Sequence, residues 1–269
     1  MPRQITAFSN PLVKQVRGLR DKKNRRREGL FMAEGLRILT EAREAGHVPR
    51  MIFFGAGTRH ELLDVLVAET EAAGGEAIET NSDILHKLSG KENPQVVLGV
   101  YEAFATDLGS LDRTRADLWI VAQALRDPGN LGTILRTGDA VGAGGIILVD
   151  DCVDPFSVEA VRASMGALFT QRIAAAGWDE FLPWLRSGEG ELIGTSLTTD
   201  MDYQQPRYGK PAFILVGNEA QGLPEAYEAE CDTLVKIPML GKADSLNAAV
   251  AAAVMAYEVI NQWRRSASA

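Results

Sequence analysis

The sequence is poor in the residues from which metal sites, disulfide frameworks and histidine-based active sites are built. Its 269 residues include two cysteines and three histidines. Cys152 and Cys231 stand in no metal-like spacing, which argues against a structural zinc site and for a reducing, cytoplasmic setting. His47, His60 and His86 all lie in the N-terminal half, and no Ser-His-Asp set occurs at nucleophile-elbow spacing. No apolar run reaches membrane-spanning length, and the start "MPRQITAFSNP" has no secretory h-region, so neither a membrane partner nor a metal is expected. The phosphate-binding pattern G-x-x-x-x-G-K-[ST] is absent, which argues against a P-loop. A G-x-G-x-x-G followed by an acid on a second strand is missing too, which leaves a nicotinamide-dependent enzyme as a rival with little support.

What is present is an ordinary globular composition, 46 % hydrophobic and 24 % charged, sufficient to bury a sizeable core. The length fits one large domain or a small domain beside a medium one. The net charge of −8 is unevenly spread: eight cations and a single acid, Asp21, lie between Lys14 and Arg27. That stretch, "KQVRGLRDKKNRRR", reads either as a solvated helix face or as a local grip on a phosphate-rich partner.

Residues 1–105 read as a compact α/β unit. Helical periodicity covers "NPLVKQVRGL", "GLFMAEGLRILTEAREAG" and "HELLDVLVAETEAAGG", with strands at "RMIFFG" and "VVLGVYEAF". The polar, turn-rich residues 106–116 read as a linker. Over 117–269 the pattern becomes strand, glycine turn, helix, repeated. The strands are "LWIVA", "GGIILVD", "ELIGTSL", "AFILVG" and "TLVKIPM", and apolar strands alternating with helices predict a mostly parallel sheet with helices on both faces. In such sheets ligands bind at the carboxyl ends of the strands.

Three strand-end segments carry the polar signals. After "LWIVA", Pro128 and Gly129 form a turn, Asn130 is placed to cap the next helix, and Arg136 follows six residues on. Arg136 also reads as a surface residue paired with Asp139. Gly138 and Gly142 in the same helix suggest close backbone packing. After "AFILVG", Gly217 permits a close approach to the backbone and Glu219 sets a carboxylate at the strand mouth, although a plain loop fits as well. After Pro238, Asp244-Ser245 open a helix so rich in alanine and valine that it reads as buried. Ser245 is placed to cap it, and Asn247, an amide at its mouth, requires partners.

Together the segments "DPGNLGTILRTGDAVGA", "LVGNEAQGLP" and "IPMLGKADSLNAAVAAAVMAYE" resemble, in order, the three motifs of the SpoU–TrmH family of RNA ribose 2′-O-methyltransferases, within the SPOUT class. Residues 1–105 resemble the ribosomal-protein-like substrate-binding domain that often precedes it. The resemblance implies a C-terminal trefoil knot, a homodimer whose site is completed across the interface, and bound S-adenosyl-L-methionine. It implies that Gly217, Ile237, Leu246 and Thr195 line the cofactor, and that Asn130, Arg136, Glu219, Ser245 and Asn247 are the catalytic polar set. Ala220, Ala248 and Ala249 depart from the family's usual residues.

The function this implies is methyl transfer to structured RNA, ribosomal RNA being favoured by the N-terminal domain. A transfer-RNA 2′-O-methyltransferase and a catalytically silent RNA-binding protein of the same fold are the alternatives. The family's usual assignment makes Arg136 the activator of the ribose hydroxyl. A guanidinium is effectively always protonated, so either its neighbours depress its pKa or it stays cationic and stabilises the developing alkoxide; the second reading is preferred. Lys22, Lys23, Arg25, Arg26, Arg27 and Arg162 are the candidate RNA contacts.

Overall fold

A computed structural model describes residues 2–267. The chain forms two compact units, one made of the chain up to Phe104 together with Asp154–Thr170, the other of Ala105–Val153 and the chain from Gln171 onward.

The first unit begins β1 (Arg3–Ile5), α1 (Pro11–Gly18), α2 (Lys22–Glu28), β2 (Leu30–Glu34), α3 (Leu36–Glu44) and β3 (Met51–Gly55). It continues with α4 (Glu61–Ala72), β4 (Glu76–Thr80), α5 (Ser82–Ser89) and β5 (Val97–Glu102). Its five strands form a mixed sheet in the order β1-β4-β3-β5-β2, with β5 antiparallel to both neighbours. Val13 and Val16 of α1 and Leu19 just after it meet Phe53, Ile78, Ile84, Leu88 and Val100 in one fully apolar core. "GLFMAEGLRILTEAREAG" reads as helical throughout, but its segment Leu30–Glu34 is β2. Gly35 at φ 104° breaks the pattern there, a backbone state that glycine reaches without strain. Asn10 and Asp21 cap α1 and α2 through their side chains.

The second unit opens with two short 3-10 turns at Leu108–Ser110 and Arg113–Arg115, then β6 (Leu118–Gln123), α6 (Pro128–Val141) and β7 (Ile146–Val149). The next helix, α7 (Val158–Ala163), falls in the segment that belongs to the first unit. The second unit resumes with β8 (Ile173–Ala176), α8 (Trp178–Arg186), β9 (Glu191–Thr195), β10 (Ala212–Val216), α9 (Glu225–Glu228), β11 (Thr233–Val235) and α10 (Ala248–Ala267). Six strands form the sheet β11-β9-β10-β6-β7-β8, parallel at every pairing. β10 and β6, the central pair, are buried along their whole lengths, as uninterrupted apolar strands covered on both faces must be. Trp119 and Phe213 stack across them with ring centroids 5.9 Å apart.

The expected mostly parallel α/β sheet is therefore present. The short β8, "IAAA", carries too little β propensity to announce itself in the sequence.

Candidate functional site

The carboxyl ends of β6, β9, β10 and β11 open on one side of the second unit, and the three motif segments meet there. Asp127, rather than Asn130, caps α6: its Oδ1 accepts the Asn130 backbone N–H at 2.7 Å, and Pro128 occupies the first helical turn. That frees the Asn130 side chain. Its Nδ2 donates to Glu219 Oε1 at 2.9 Å, and its Oδ1 accepts from Asn247 Nδ2 at 2.7 Å. Asn247, rather than Ser245, caps α10, because its Oδ1 receives the backbone N–H groups of Ala249 at 2.9 Å and Val250 at 3.3 Å. The helix accordingly starts three residues later than Ser245. Asn247 is exposed where the apolar helix suggested a buried amide, and its side chain is still fully engaged, by Asn130 and by two backbone N–H groups.

One relay of side chains thus ties together the start of α10, the start of α6 and the loop after β10. Glu219 ends it, facing the backbone N–H groups of Asp127 at 3.4 Å and Arg126 at 3.5 Å. Partial burial pushes its carboxyl up, but the Asn130 amide and these backbone donors outweigh that and hold it below its ordinary value near 4.5. It is a carboxylate at neutral pH.

The loop after β10 is bent back on itself. Asn218 donates to the Ala124 carbonyl at 2.8 Å and accepts the N–H groups of Ala220 at 2.9 Å and Gln221 at 3.1 Å. A Cβ on Gly217 would lie 2.4 Å from the backbone of Gly222, so the glycine is required by the loop's own fold. Ala220 needs no positive φ, which is why alanine fits there. Ala124 does adopt φ 48°, a strained state for alanine held at the mouth of β6. In α6, Gly138 is packed against Gln171 and Ile146 as expected, but Gly142 touches nothing and instead supplies the left-handed C-cap at φ 69°.

A cleft of about 260 Å³ lies beneath this loop. Its lining contains Thr195, Gly217, Ser245, Leu246 and Ile237 from the expected set, with Val216, Leu223 and Ala251 giving it an apolar floor. Thr195 turns its hydroxyl to the Leu215 carbonyl at 3.3 Å. The lining has two carboxylates, Glu219 and Glu228, and no cation. Glu228 was missed in the sequence because it sits in the short α9, outside any motif. It accepts hydrogen bonds from Thr198 Oγ1 at 2.9 Å and from Ser196 Oγ. A second cavity, of about 570 Å³, is lined by Arg126, Asp127, Asn130, Asn218, Glu219, Ala220 and Asn247.

Arg136 is not in either lining. It is exposed, six residues past Asn130 and so about 240° around the helix axis, and it has no ion-pair partner among the described residues. Within one chain, therefore, Asn130, Glu219 and Asn247 come together and Arg136 does not join them.

The candidate RNA contacts divide. Lys22, Lys23, Arg26 and Arg27 are exposed on α2, and Arg162 is exposed on α7. Arg25 corrects the expectation. It is buried at 5 % exposure, with Nε and Nη2 on Asp154 Oδ2 at 3.1 and 2.6 Å and Nη1 on the carbonyls of Leu19 and Arg20, both at 2.8 Å. Every donor it turns inward is satisfied, so it is a structural arginine of the first unit. Burial disfavours the thiolate of both cysteines, pushing the Cys152 thiol up to about 11 and the Cys231 thiol up to about 12. Among the described residues there is no cluster of metal-binding side chains and no helix long and apolar enough to cross a membrane.

Residues 117–257 match the SpoU rRNA methylase family, and residues 10–99 match an MRM3-like substrate-binding domain. The chain is 33 % identical to the 23S rRNA (uridine(2479)-2′-O)-methyltransferase of Streptomyces viridochromogenes, over 97 % of this chain and 92 % of that protein. It is 27 % identical to the 23S rRNA (guanosine(2553)-2′-O)-methyltransferase RlmP of Bacillus subtilis, over 96 % and 99 %. The solved structure of an AdoMet-bound rRNA methyltransferase from Sinorhizobium meliloti superposes with a TM-score of 0.89 at 37 % identity, covering 96 % of this chain and 97 % of that one.

Proposed function

This chain belongs to the SpoU rRNA methylase family, and from that premise we propose that it transfers a methyl group from S-adenosyl-L-methionine to a ribose 2′-hydroxyl of ribosomal RNA. The observation that carries the proposal is the meeting of three strand-end segments, through Asn130, Glu219 and Asn247, beside a cleft with an apolar floor and no cation. That cleft suits the cofactor. Its apolar floor and exposed loop backbone fit an adenine ring, and Glu219 and Glu228 complement a molecule whose sulfonium and ammonium are both positive. Gly217, Ile237, Leu246 and Thr195 would hold it. When bound it supplies an electrophilic methyl on sulfur.

The protein's part is then to bind, orient and manage charge. Asn130 is fixed at both ends of its amide, and through it Glu219 and Asn247 keep the two helix starts in register. Holding the ribose hydroxyl in line with the methyl–sulfur bond supplies a large share of the rate, on the order of 7–11 kcal/mol for well-oriented groups. As the hydroxyl loses its proton, a cation beside the developing alkoxide stabilises it. We assign that cation to Arg136 of a second copy, since Arg136 lies outside the cavities of its own chain. The dimer rests on α10, where Val250 is 46 % and Tyr257 50 % exposed on an apolar stripe of one chain. Packing of α10 back onto α6, β6 and β10, after β11 at the sheet edge, supports the knot as well. The exposed cations of α2 grip RNA phosphates, and residence in the cytoplasm follows from the substrate.

Purified protein incubated with ribosomal RNA and methyl-labelled S-adenosylmethionine tests this. Label should appear in alkali-resistant dinucleotides, because a 2′-O-methyl group blocks cleavage, with ribosomal RNA a better acceptor than transfer RNA. Binding of S-adenosylhomocysteine without any transfer would identify a silent RNA-binding protein instead.

A further inference from the structure

We propose that Arg126 is the phosphate clamp of the reaction cavity: its guanidinium leaves Asp151 and takes up a backbone phosphate of the RNA strand that carries the target ribose. The proposal deepens the reading of this site as an RNA methyltransferase and rests on it. Three observations carry it. First, Arg126 is the one cation in the lining of the cavity that also contains Asn130, Glu219 and Asn247, a place where Arg136 of the same chain is absent. Two carboxylates, Asp127 and Glu219, line that cavity, so a polyanion brought into it meets repulsion unless a cation intervenes.

Second, the backbone of Arg126 is fixed while its side chain is free to move. The Arg126 N–H faces Glu219 Oε2 at 3.5 Å, as the neighbouring N–H faces Oε1 at 3.4 Å, which sets the base of the side chain beside the amide–carboxylate relay. The guanidinium reaches away to Asp151 Oδ2 at 2.5 Å, with side-chain exposures of 59 % and 75 %. An ion pair this exposed is readily exchanged. Third, the partner it holds is a carboxylate, and a backbone phosphodiester offers a guanidinium the same fork geometry and the same single negative charge. Asp151 therefore keeps Arg126 extended and ready without sealing it off.

The test uses Arg126→Gln, Arg126→Lys and Asp151→Asn in the whole chain, with Arg172→Gln as control, an exposed cation just before the edge strand β8. The probe is 23S ribosomal RNA freed of protein. Arg126→Gln should raise KM for RNA about tenfold with kcat within twofold and an unchanged dissociation constant for S-adenosylhomocysteine. The slope of log affinity against log salt should fall by about one phosphate contact. Arg126→Lys should restore the slope and most of the affinity, and Asp151→Asn, by removing the competitor, should lower KM. An unchanged KM and salt slope in Arg126→Gln overturns the proposal. So does a fall in kcat at constant KM, which would place Arg126 at the reacting atoms. If no protein, wild type included, transfers methyl groups, the functional reading fails instead, and direct RNA binding across a salt series still decides Arg126 by the same slopes.

Discussion

Asn130→Asp is the most searching single change at this site, because it keeps the side chain's shape and reverses one hydrogen bond. Asn130 Nδ2 donates to Glu219 Oε1 at 2.9 Å. An aspartate there sets a second carboxylate where the donor was, and two carboxylates this close cannot both stay ionised without cost. At an effective dielectric near 20, like charges about 3 Å apart repel by roughly 5 kcal/mol. The pair is half-exposed, so solvent screening reduces this to about a third, 1–2 kcal/mol. Lost with it is a charge-assisted hydrogen bond worth about 1.5–3 kcal/mol. The relay then holds at neutral pH only by taking up a proton, so the pair's affinity for that proton rises. The sign follows: Asn130→Asp should be 10²–10³-fold slower than wild type at pH 8 and should recover as pH falls toward 5, where one carboxyl is neutral and donates again. Wild type, whose Glu219 is held below the ordinary carboxyl range by the Asn130 amide and backbone donors, should show no such gain over the same range. Methyl transfer to ribosomal RNA measured from pH 5 to 8, with thermal unfolding alongside, gives the answer. A variant with wild-type rate and a wild-type pH profile would refute the idea that the amide relay organises the site.

The other predictions bear on separate parts of the structure. Gly217→Ala should cost about 1–3 kcal/mol in stability and abolish S-adenosylhomocysteine binding in calorimetry, because the new Cβ would sit 2.4 Å from the Gly222 backbone. Glu228→Gln should weaken S-adenosylmethionine several-fold while leaving the melting temperature within a few degrees, since it removes a charge from the cleft and keeps the shape. Arg25→Ala should lower stability by about 3–5 kcal/mol in denaturant titration by stranding Asp154, whereas neutralising Lys22, Lys23 and Arg26 together should leave stability unchanged and reduce RNA affinity and its salt dependence. Neither thiol should react with a disulfide reagent at pH 7.5 under native conditions, as both are held protonated by burial.

The parallel sheet was legible because its strands are short apolar runs punctuated by glycine turns, a pattern that needs no partner to be read. The same held for the convergence of Asn130, Glu219 and Asn247, since all three follow strands. What was not legible was direction. A cap is decided by which side chain turns back onto which N–H, and sequence spacing favoured Asn130 and Ser245 where Asp127 and Asn247 do the work. Arg25 looked like one more cation in "KKNRRR", and only the return of Asp154 from far along the chain makes it structural. Arg136 joins the polar set only through the family resemblance, while helix geometry turns it away from Asn130 within one chain. Glu228 gave no signal because its partners, Ser196 and Thr198, come from another strand-end loop.

The most direct measurement is a map of 2′-O-methyl groups across ribosomal RNA from cells with and without this protein. The account predicts that a discrete methylated ribose disappears when the protein is removed and returns with the wild-type chain but not with an Arg136→Ala chain that still folds. An identical map in both cells, or restoration by the Arg136→Ala chain, would contradict it.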